Sequence, residues 1–323
     1  GPHGMPAGLY ADWNDCLRLG ANGESTFVAL QFYYALQIMQ KFAAARNDTA
    51  YFEELGRDAA AFKEKINRLC WDQDRFIRGY RENGEKIGER NAPEANLWLN
   101  PQSWSVISTL ADEPQAKAAL EQVHDRLNSR YGAVLMDPPY HAHAFDGAFA
   151  VIYNQGVKEN AGIFCHNNPW IIAAETMVGH GDRAFDLYSR IAPAWREDIS
   201  DLHRMEPYVY SQMIAGKDAA NFGQAKNSWL TGTAAWNFYV ISNYILGIKP
   251  DWDGLKIDPC IPHGWDGYSV TRRFRGAVYE ITVSNPGHVC RGVRKMTVDG
   301  REIAGNVISP EAAGIHQVEV VLG

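Results

Sequence analysis

Gly8-Leu-Tyr-Ala-Asp-Trp-Asn-Asp-Cys-Leu17 sets two carboxylates, Asp12 and Asp15, beside an indole, Trp13, and an amide, Asn14, just ahead of the first long helical period. These side chains suit a sugar site: a carboxylic acid can protonate a glycosidic oxygen, an indole face stacks on a pyranose and an amide sorts hydroxyls. Asp and Asn in a loop before a helix also serve as caps and turn formers. The stretch alone leaves both readings open.

Working outward, the helical period begins at once. Phe27, Leu30, Tyr34, Ile38 and Phe42 recur every three to four residues, so a helix is expected from Ser25 to about Arg46, capped by Ser25 or Thr26. A second is expected from Thr49 to Leu69 on the stripe Phe52, Leu55, Ala59, Phe62 and Ile66. Short strand-like pieces follow around Arg75-Phe-Ile-Arg-Gly79. Further helices are expected from Asn100 to Leu110, Glu113 to Leu127, Phe164 to Gly179, Asp182 to Ile191 and Trp229 to Leu246, giving sequential helix hairpins with long loops at 131–162 and 199–227. At Gly247-Ile-Lys-Pro-Asp-Trp-Asp-Gly254 the helical period stops and short alternating runs take over. A helical portion over 1–248 and a small antiparallel β-sandwich over 249–323 are therefore expected, a mainly α chain with a strand-rich tail.

Composition narrows the function classes. The 323 residues include 46% hydrophobic and 21% charged side chains, values of a globular chain that exclude disordered and fibrous classes. A net charge of −7 without a basic stripe argues against nucleic acid as a partner. The longest apolar runs, such as Ile163-Phe-Cys165 and Trp170-Ile-Ile-Ala-Ala174, fall far short of the roughly 20 residues that span a bilayer. The first residues lack a basic segment followed by an apolar core, so no signal peptide is expected. Five widely spaced cysteines fit neither a disulfide framework nor a zinc ribbon, and a cytoplasmic location is expected.

Four other stretches can carry chemistry. Lys158-Glu159-Asn160-Ala-Gly-Ile-Phe-Cys-His166 gathers a cation, a carboxylate, an amide and an imidazole before a helix that Asn168 would cap and Pro169 would open. Glu206-Pro-Tyr-Val-Tyr-Ser-Gln212 reads as a cleft lining or an ordinary strand. Thr231-Gly232-Thr233 stands at a helix start, where free N–H groups and hydroxyls suit an anion. Asp137-Pro-Pro-Tyr-His-Ala-His143 offers two histidines but no third ligand by spacing, so no metal is expected.

Together, Ala11-Asp-Trp-Asn-Asp-Cys16, Val157-Lys-Glu-Asn160, Ile163-Phe-Cys-His166, Glu206-Pro-Tyr-Val-Tyr210 and Trp229-Leu-Thr-Gly-Thr-Ala-Ala235 resemble, in order and spacing, the cellobiose and chitobiose phosphorylase family. These are inverting phosphorylases of β-linked disaccharides, with the laminaribiose phosphorylases among their relatives. The junction ending in Gly254-Leu-Lys-Ile-Asp-Pro259 is similar to the family's carboxyl end, and the resemblance covers essentially the whole chain.

The resemblance implies an (α/α)₆ barrel followed by a β-sandwich, and roles for named residues. Asp15 would be the general acid, with Trp13 at the donor sugar. His166, Thr231 and Gly232 would form the phosphate site. Lys158, Glu159 and Gln212 match donor-site positions, and Tyr153 an acceptor-site position. Phosphate is already an anionic nucleophile, so no base and no cofactor are required, and in-line displacement would give an α-sugar 1-phosphate. Tyr153 fills volume that an acetamido group would need, which implies a glucose acceptor; Phe149, where cellobiose-specific members offer a polar contact, leaves a β-1,3 linkage open.

One departure stands out. Family members carry a long β-sandwich and the first half of the barrel before the Asp-Trp-Asn-Asp loop, whereas eleven residues precede Asp12 here. The chain resembles the carboxyl-terminal part of a larger enzyme, and its expected partners are a disaccharide, inorganic phosphate, and the missing amino-terminal half or a second copy. Two alternatives stay open: an inverting glycoside hydrolase with Glu159 or Glu206 as base, and an inactive sugar-binding fragment.

Overall fold

The computed structural model describes residues 1–141 and 148–323; His143 lies outside the described residues. By contacts the chain divides into two units, one of residues 1–174 and 190–233, the other of 175–189 and 234–323. About 36% of the chain is helix and 26% strand, so the secondary structure is mixed rather than mainly helical.

In the first unit, α1 (Thr26–Ala45) and α2 (Thr49–Cys70) form the expected hairpin. Ser25 Oγ accepts from Val28 N at 3.1 Å and Asp48 Oδ1 from Tyr51 N at 3.1 Å, each satisfying an N–H that the helix leaves unpaired. The buried face of α1 is Phe27, Leu30, Tyr33 and Leu36, while Phe42 is exposed. The stripe is therefore rotated from the one the spacing predicts. α1 packs against both α2 and α3 (Leu99–Ile107), every residue of α3 being buried: Phe32 meets Phe62 of α2, and Phe27 and Tyr34 stand edge-on to Trp104 of α3. α4 (Glu113–Gln122) starts with a reciprocal capping box between Asp112 and Gln115 and continues as a π-helix over Val123–Leu127.

Short sheets connect these helices. Strand Ala7–Leu9 pairs antiparallel with Gly20–Ser25, so the Asp-Trp-Asn-Asp stretch is the loop of a hairpin whose second strand runs directly into α1. Gly20–Ser25 pairs in turn with Gly79–Tyr80, opposing Ser25 to Gly79. A Cβ on Gly79 would lie 2.3 Å from Glu24 O, so only glycine allows this approach. Strands Ile163–Phe164, Ser211–Ile214 and Ala225–Ser228 form a second antiparallel sheet.

α5 (Asn168–Met177) begins at Asn168 and not at the expected Phe164, which pairs with Met213 in a strand. The Asn168 side chain, however, pairs with the backbone of Ala133, accepting from its N at 2.8 Å and donating to its O at 3.0 Å. α6 (Gly181–Ile191), a four-residue α7 (Ser200–His203) and α8 (Thr233–Val240), which runs on as a π-helix over Ile241–Ile245, complete the α-helices among the described residues. The expected Trp229 start of the last helix is corrected to Thr233: Trp229 and Leu230 precede it and are exposed.

The second unit holds a three-stranded sheet of Ile248–Pro250, Leu255–Ile257 and Val307–Ile308, and a five-stranded one. The latter runs Gly267–Phe274, Ala277–Ser284, Ile315–Leu322, Val293–Val298 and Arg301–Glu302. Alternation buries Ala277, Tyr279, Ile281 and Val283, with Val318, Val320 and Leu322, on one face. Ala277–Ser284 and Ile315–Leu322 pair in parallel, so this sheet is mixed where an antiparallel one was expected. Among the described residues no helix is long and apolar enough to cross a membrane.

Candidate active site

A pocket of about 210 Å³ lies in the first unit, lined by Trp13, Asn14, Asp15, Glu159, Phe164, His166, Gln212, Leu230, Thr231 and Gly232. Of the residues singled out in the sequence it gathers Trp13, Asp15, Glu159, His166, Gln212, Thr231 and Gly232. Tyr153 and Lys158 are not in its lining. They stand against each other, with Lys158 Nζ 5.5 Å from the centre of the Tyr153 ring.

The two aspartates of the hairpin loop do different things. Asp12 is structural: Arg78 donates to its two oxygens at 2.5 and 2.7 Å, Ser25 Oγ donates at 2.5 Å, and both side chains of the ion pair are wholly buried. Burial works to raise its pKa, but the Arg78 charge and the hydrogen bonds from Arg78, Ser25 and Asn14 hold the carboxyl below its ordinary value. Asn14 is a turn former, its Oδ1 accepting from Cys16 N at 2.9 Å. Asp15 is exposed and faces the pocket.

Between them Trp13 is held at φ +151°, a value that costs a residue with a β-carbon on the order of 1–3 kcal/mol. The anchored Asp12 on one side and the Asn14 turn on the other fix this conformation. Its ring packs edge-on to Phe164 and Trp170, and its Nε1 donates to His166 Nδ1 at 2.9 Å.

The loop that carries Glu159 and His166 is pinned by Asn160, which accepts from Tyr140 N at 2.8 Å and donates to the carbonyls of Tyr140 and Tyr153. The sheet then sets the other wall, since Cys165 N donates to Gln212 O at 2.9 Å and so brings Gln212 alongside His166. Asn227 donates to Gln212 Oε1 at 2.7 Å. Glu159 is buried, and among the described residues its Oε2 meets no hydrogen-bond partner. Burial raises its pKa, with Asp15 adding to the effect and Lys158 opposing it.

On the remaining wall, Thr231 Oγ1 accepts from Thr233 N at 3.1 Å and shares a 2.5 Å hydrogen bond with Thr233 Oγ1. A Cβ on Gly232 would lie 3.2 Å from His166 Nε2, so the absent side chain keeps space open beside that nitrogen. Burial lowers the pKa of His166 and favours its neutral form. The pocket thus joins a carboxyl group at Asp15, a buried carboxyl at Glu159 and a wall of uncharged donors at His166 and Thr231–Thr233. Among the described residues no group of three or more His, Cys, Asp or Glu side chains could hold a metal ion.

Sequence reasoning missed Arg78, Phe164 and Leu230. Arg78 sits in an apolar strand-like run, Phe76-Ile-Arg-Gly79, and an uncompensated cation there is the one signal that a buried carboxylate must lie opposite.

Comparison with known proteins gives the class. Residues 1–247 match the catalytic domain of the glycosyl hydrolase 94 superfamily, and residues 248–290 the carboxyl-terminal domain of glycosyl hydrolase family 65. The chain belongs to the glycosyl hydrolase 94 superfamily. It is 41% identical over its whole length to an N,N'-diacetylchitobiose phosphorylase of Vibrio proteolyticus and 38% to one of Vibrio furnissii, and 34% over 99% of its length to a solabiose phosphorylase of Paenibacillus borealis. It spans 40 to 42% of the length of these relatives. Among solved structures, a sialidase superposes on 80% of the chain, and 24% of its own, with a TM-score of 0.54 at 14% identity, a likeness of fold alone.

Proposed function

We propose that this chain carries the acid and phosphate sides of a site for inverting phosphorolysis of a β-linked disaccharide. The observation that supports it most is the pocket's division of chemistry: one exposed carboxyl group, Asp15, and a separate wall of uncharged donors around His166 and Gly232. A phosphate oxygen attacks the anomeric carbon as the glycosidic bond breaks, and the departing sugar oxygen takes the Asp15 proton. Trp13, Glu159 and Gln212 hold the donor sugar, His166, Thr231 and Gly232 the phosphate, and Lys158 and Tyr153 flank the donor and acceptor ends. No base and no cofactor take part.

The rest of the reading follows from the family and from the length of its members. Residues 1–248 form part of an (α/α)₆ barrel and 249–323 a carboxyl-terminal β-domain. The pocket is smaller than the roughly 300–1,000 Å³ of a small-molecule site, and Phe32, Phe42 and Phe52 are exposed, which supports completion by an amino-terminal half or a second copy. Five free thiols support a cytoplasmic location.

On the acceptor side Tyr153 supports glucose, hence a cellobiose or laminaribiose substrate. The names of the two Vibrio relatives favour a second reading, N,N'-diacetylchitobiose. Glu159, a second carboxyl group in the pocket, favours hydrolysis, although burial opposes the ionised form a base needs. The complete enzyme, given each disaccharide with and without phosphate, distinguishes all of these. Sugar 1-phosphate formed only with phosphate supports phosphorolysis; reducing sugar released equally without phosphate overturns it. In reverse synthesis from α-glucose 1-phosphate, faster transfer to N-acetylglucosamine than to glucose overturns the glucose reading.

A further inference from the structure

The hydrogen bond between Trp13 and His166 joins residues 153 apart in sequence and has a chemical direction. An indole N–H only donates, so the ring nitrogen it meets must accept. We propose that Trp13 sets the tautomer of His166, placing the imidazole proton on Nε2 and making His166 a neutral N–H donor aimed at the space beside Gly232.

Three observations carry this. The contact at 2.9 Å goes to Nδ1, which leaves Nε2 as the only site for the proton of a neutral ring. Nε2 is the nitrogen nearest the position a Gly232 side chain would occupy, so the donor faces the Thr231–Thr233 turn. The indole is itself immobilised, by Phe164 and Trp170 against its ring and by the Asp12–Arg78 pair one residue before it. An imidazolium would put an Nδ1–H against the indole N–H, two donors with nothing between them. Burial opposes the same charged form.

The proposal rests on the phosphate reading only for the identity of the ligand. For phosphorolysis, a fixed Nε2–H gives the anion a hydrogen bond that needs no reorientation, in a pocket where Asp15 and Glu159 supply carboxyl groups and an imidazolium could surrender its proton. Trp13 is in this role a positioning residue that acts through His166.

The test is nitrogen NMR on the whole chain labelled at histidine, with His166 assigned by its loss in His166→Asn. The expected long-range proton–nitrogen pattern at neutral pH is that of the Nε2–H tautomer. An Nδ1–H or doubly protonated ring in the unaltered chain overturns the proposal with no variant needed. In Trp13→Phe, which keeps an aromatic ring but removes the N–H, the pattern is expected to become a mixture of tautomers. An unchanged pure Nε2–H pattern in a folded Trp13→Phe also overturns it. Inorganic phosphate is then titrated: His166 is expected to shift, with affinity about three- to ten-fold weaker in Trp13→Phe, the scale of one hydrogen bond. A correct tautomer with no response to phosphate sinks the phosphate reading and leaves the tautomer assignment standing.

Discussion

Arg78 grips Asp12 through both nitrogens of its guanidinium fork, at 2.5 and 2.7 Å, with neither side chain open to solvent. The pair ties the loop of a hairpin to the neighbouring chain, since Ser25 opposes Gly79 and Arg78, next to Gly79, reaches Asp12. A bidentate, charge-assisted contact of this kind fixes direction as well as distance. Three residues later the chain presents Asp15.

Breaking that pair from one side leaves a buried charge. Arg78→Met is expected to destabilise the fold by about 3–5 kcal/mol, and adding Asp12→Asn to recover part of the loss. Urea unfolding of both variants measures this; a single variant as stable as the parent would show that the pair contributes nothing. The pH dependence has a definite sign. Because the folded pKa of Asp12 is lowered, its stabilisation is fully present above the ordinary value of 3.8 and is lost as pH falls through the folded one. The gap between parent and Asp12→Asn should therefore close in acid.

Asp15 is exposed, so its removal leaves packing alone. Asp15→Asn in the complete enzyme should lower turnover on the order of 10²–10⁴-fold, the usual range for a positioned acid, with an unchanged unfolding midpoint. Turnover within a few-fold of the parent would remove Asp15 from the mechanism.

Gly232→Ala adds one methyl 3.2 Å from His166 Nε2. The backbone there is ordinary, so the expected effect is on the ligand: a KM for phosphate raised more than that for the disaccharide. Equal changes in the two constants would place the anion elsewhere.

Glu159 offers a second pH test. Burial raises its folded pKa above the ordinary 4.5, so the folded state gains stability as pH falls and loses it as pH rises through the raised value. Glu159→Gln abolishes that dependence and should compare better with the parent at pH 7 than at pH 4.5. Should the two proteins run parallel across this range, the carboxyl is ionised and hydrated in the free site.

Local chemistry was legible in the sequence, and distant pairing was not. Ser25 caps its helix because a short oxygen one residue before a period can do little else, and strands begin at Ile248, where the helical period ends at Gly247. The stripe of α1 has the expected period and a different rotation, since α1 packs against two partners, α2 and α3, and its burial answers to both. The Asp12–Arg78 pair spans 66 residues and Trp13–His166 spans 153, separations over which no spacing rule acts. The resemblance to a family named most of the pocket's residues, yet it said nothing of what Trp13 does with its N–H.

In the five-stranded sheet, strand Ile315–Leu322 lies between Ala277–Ser284 and Val293–Val298. Two hairpins made early along the chain, Gly267–Ser284 and Val293–Glu302, thus share no edge and are clasped by a strand that arrives later. Each hairpin can form by local contact, but their union waits on a non-local insertion, the slow kind of step in building a sheet. Until it occurs both carry an open edge with a row of unpaired backbone groups, the ordinary template for association between chains. The vulnerable moment of this unit is accordingly kinetic: it lies in the interval before one strand slots home, and a chaperone or a slow rate of synthesis would act there.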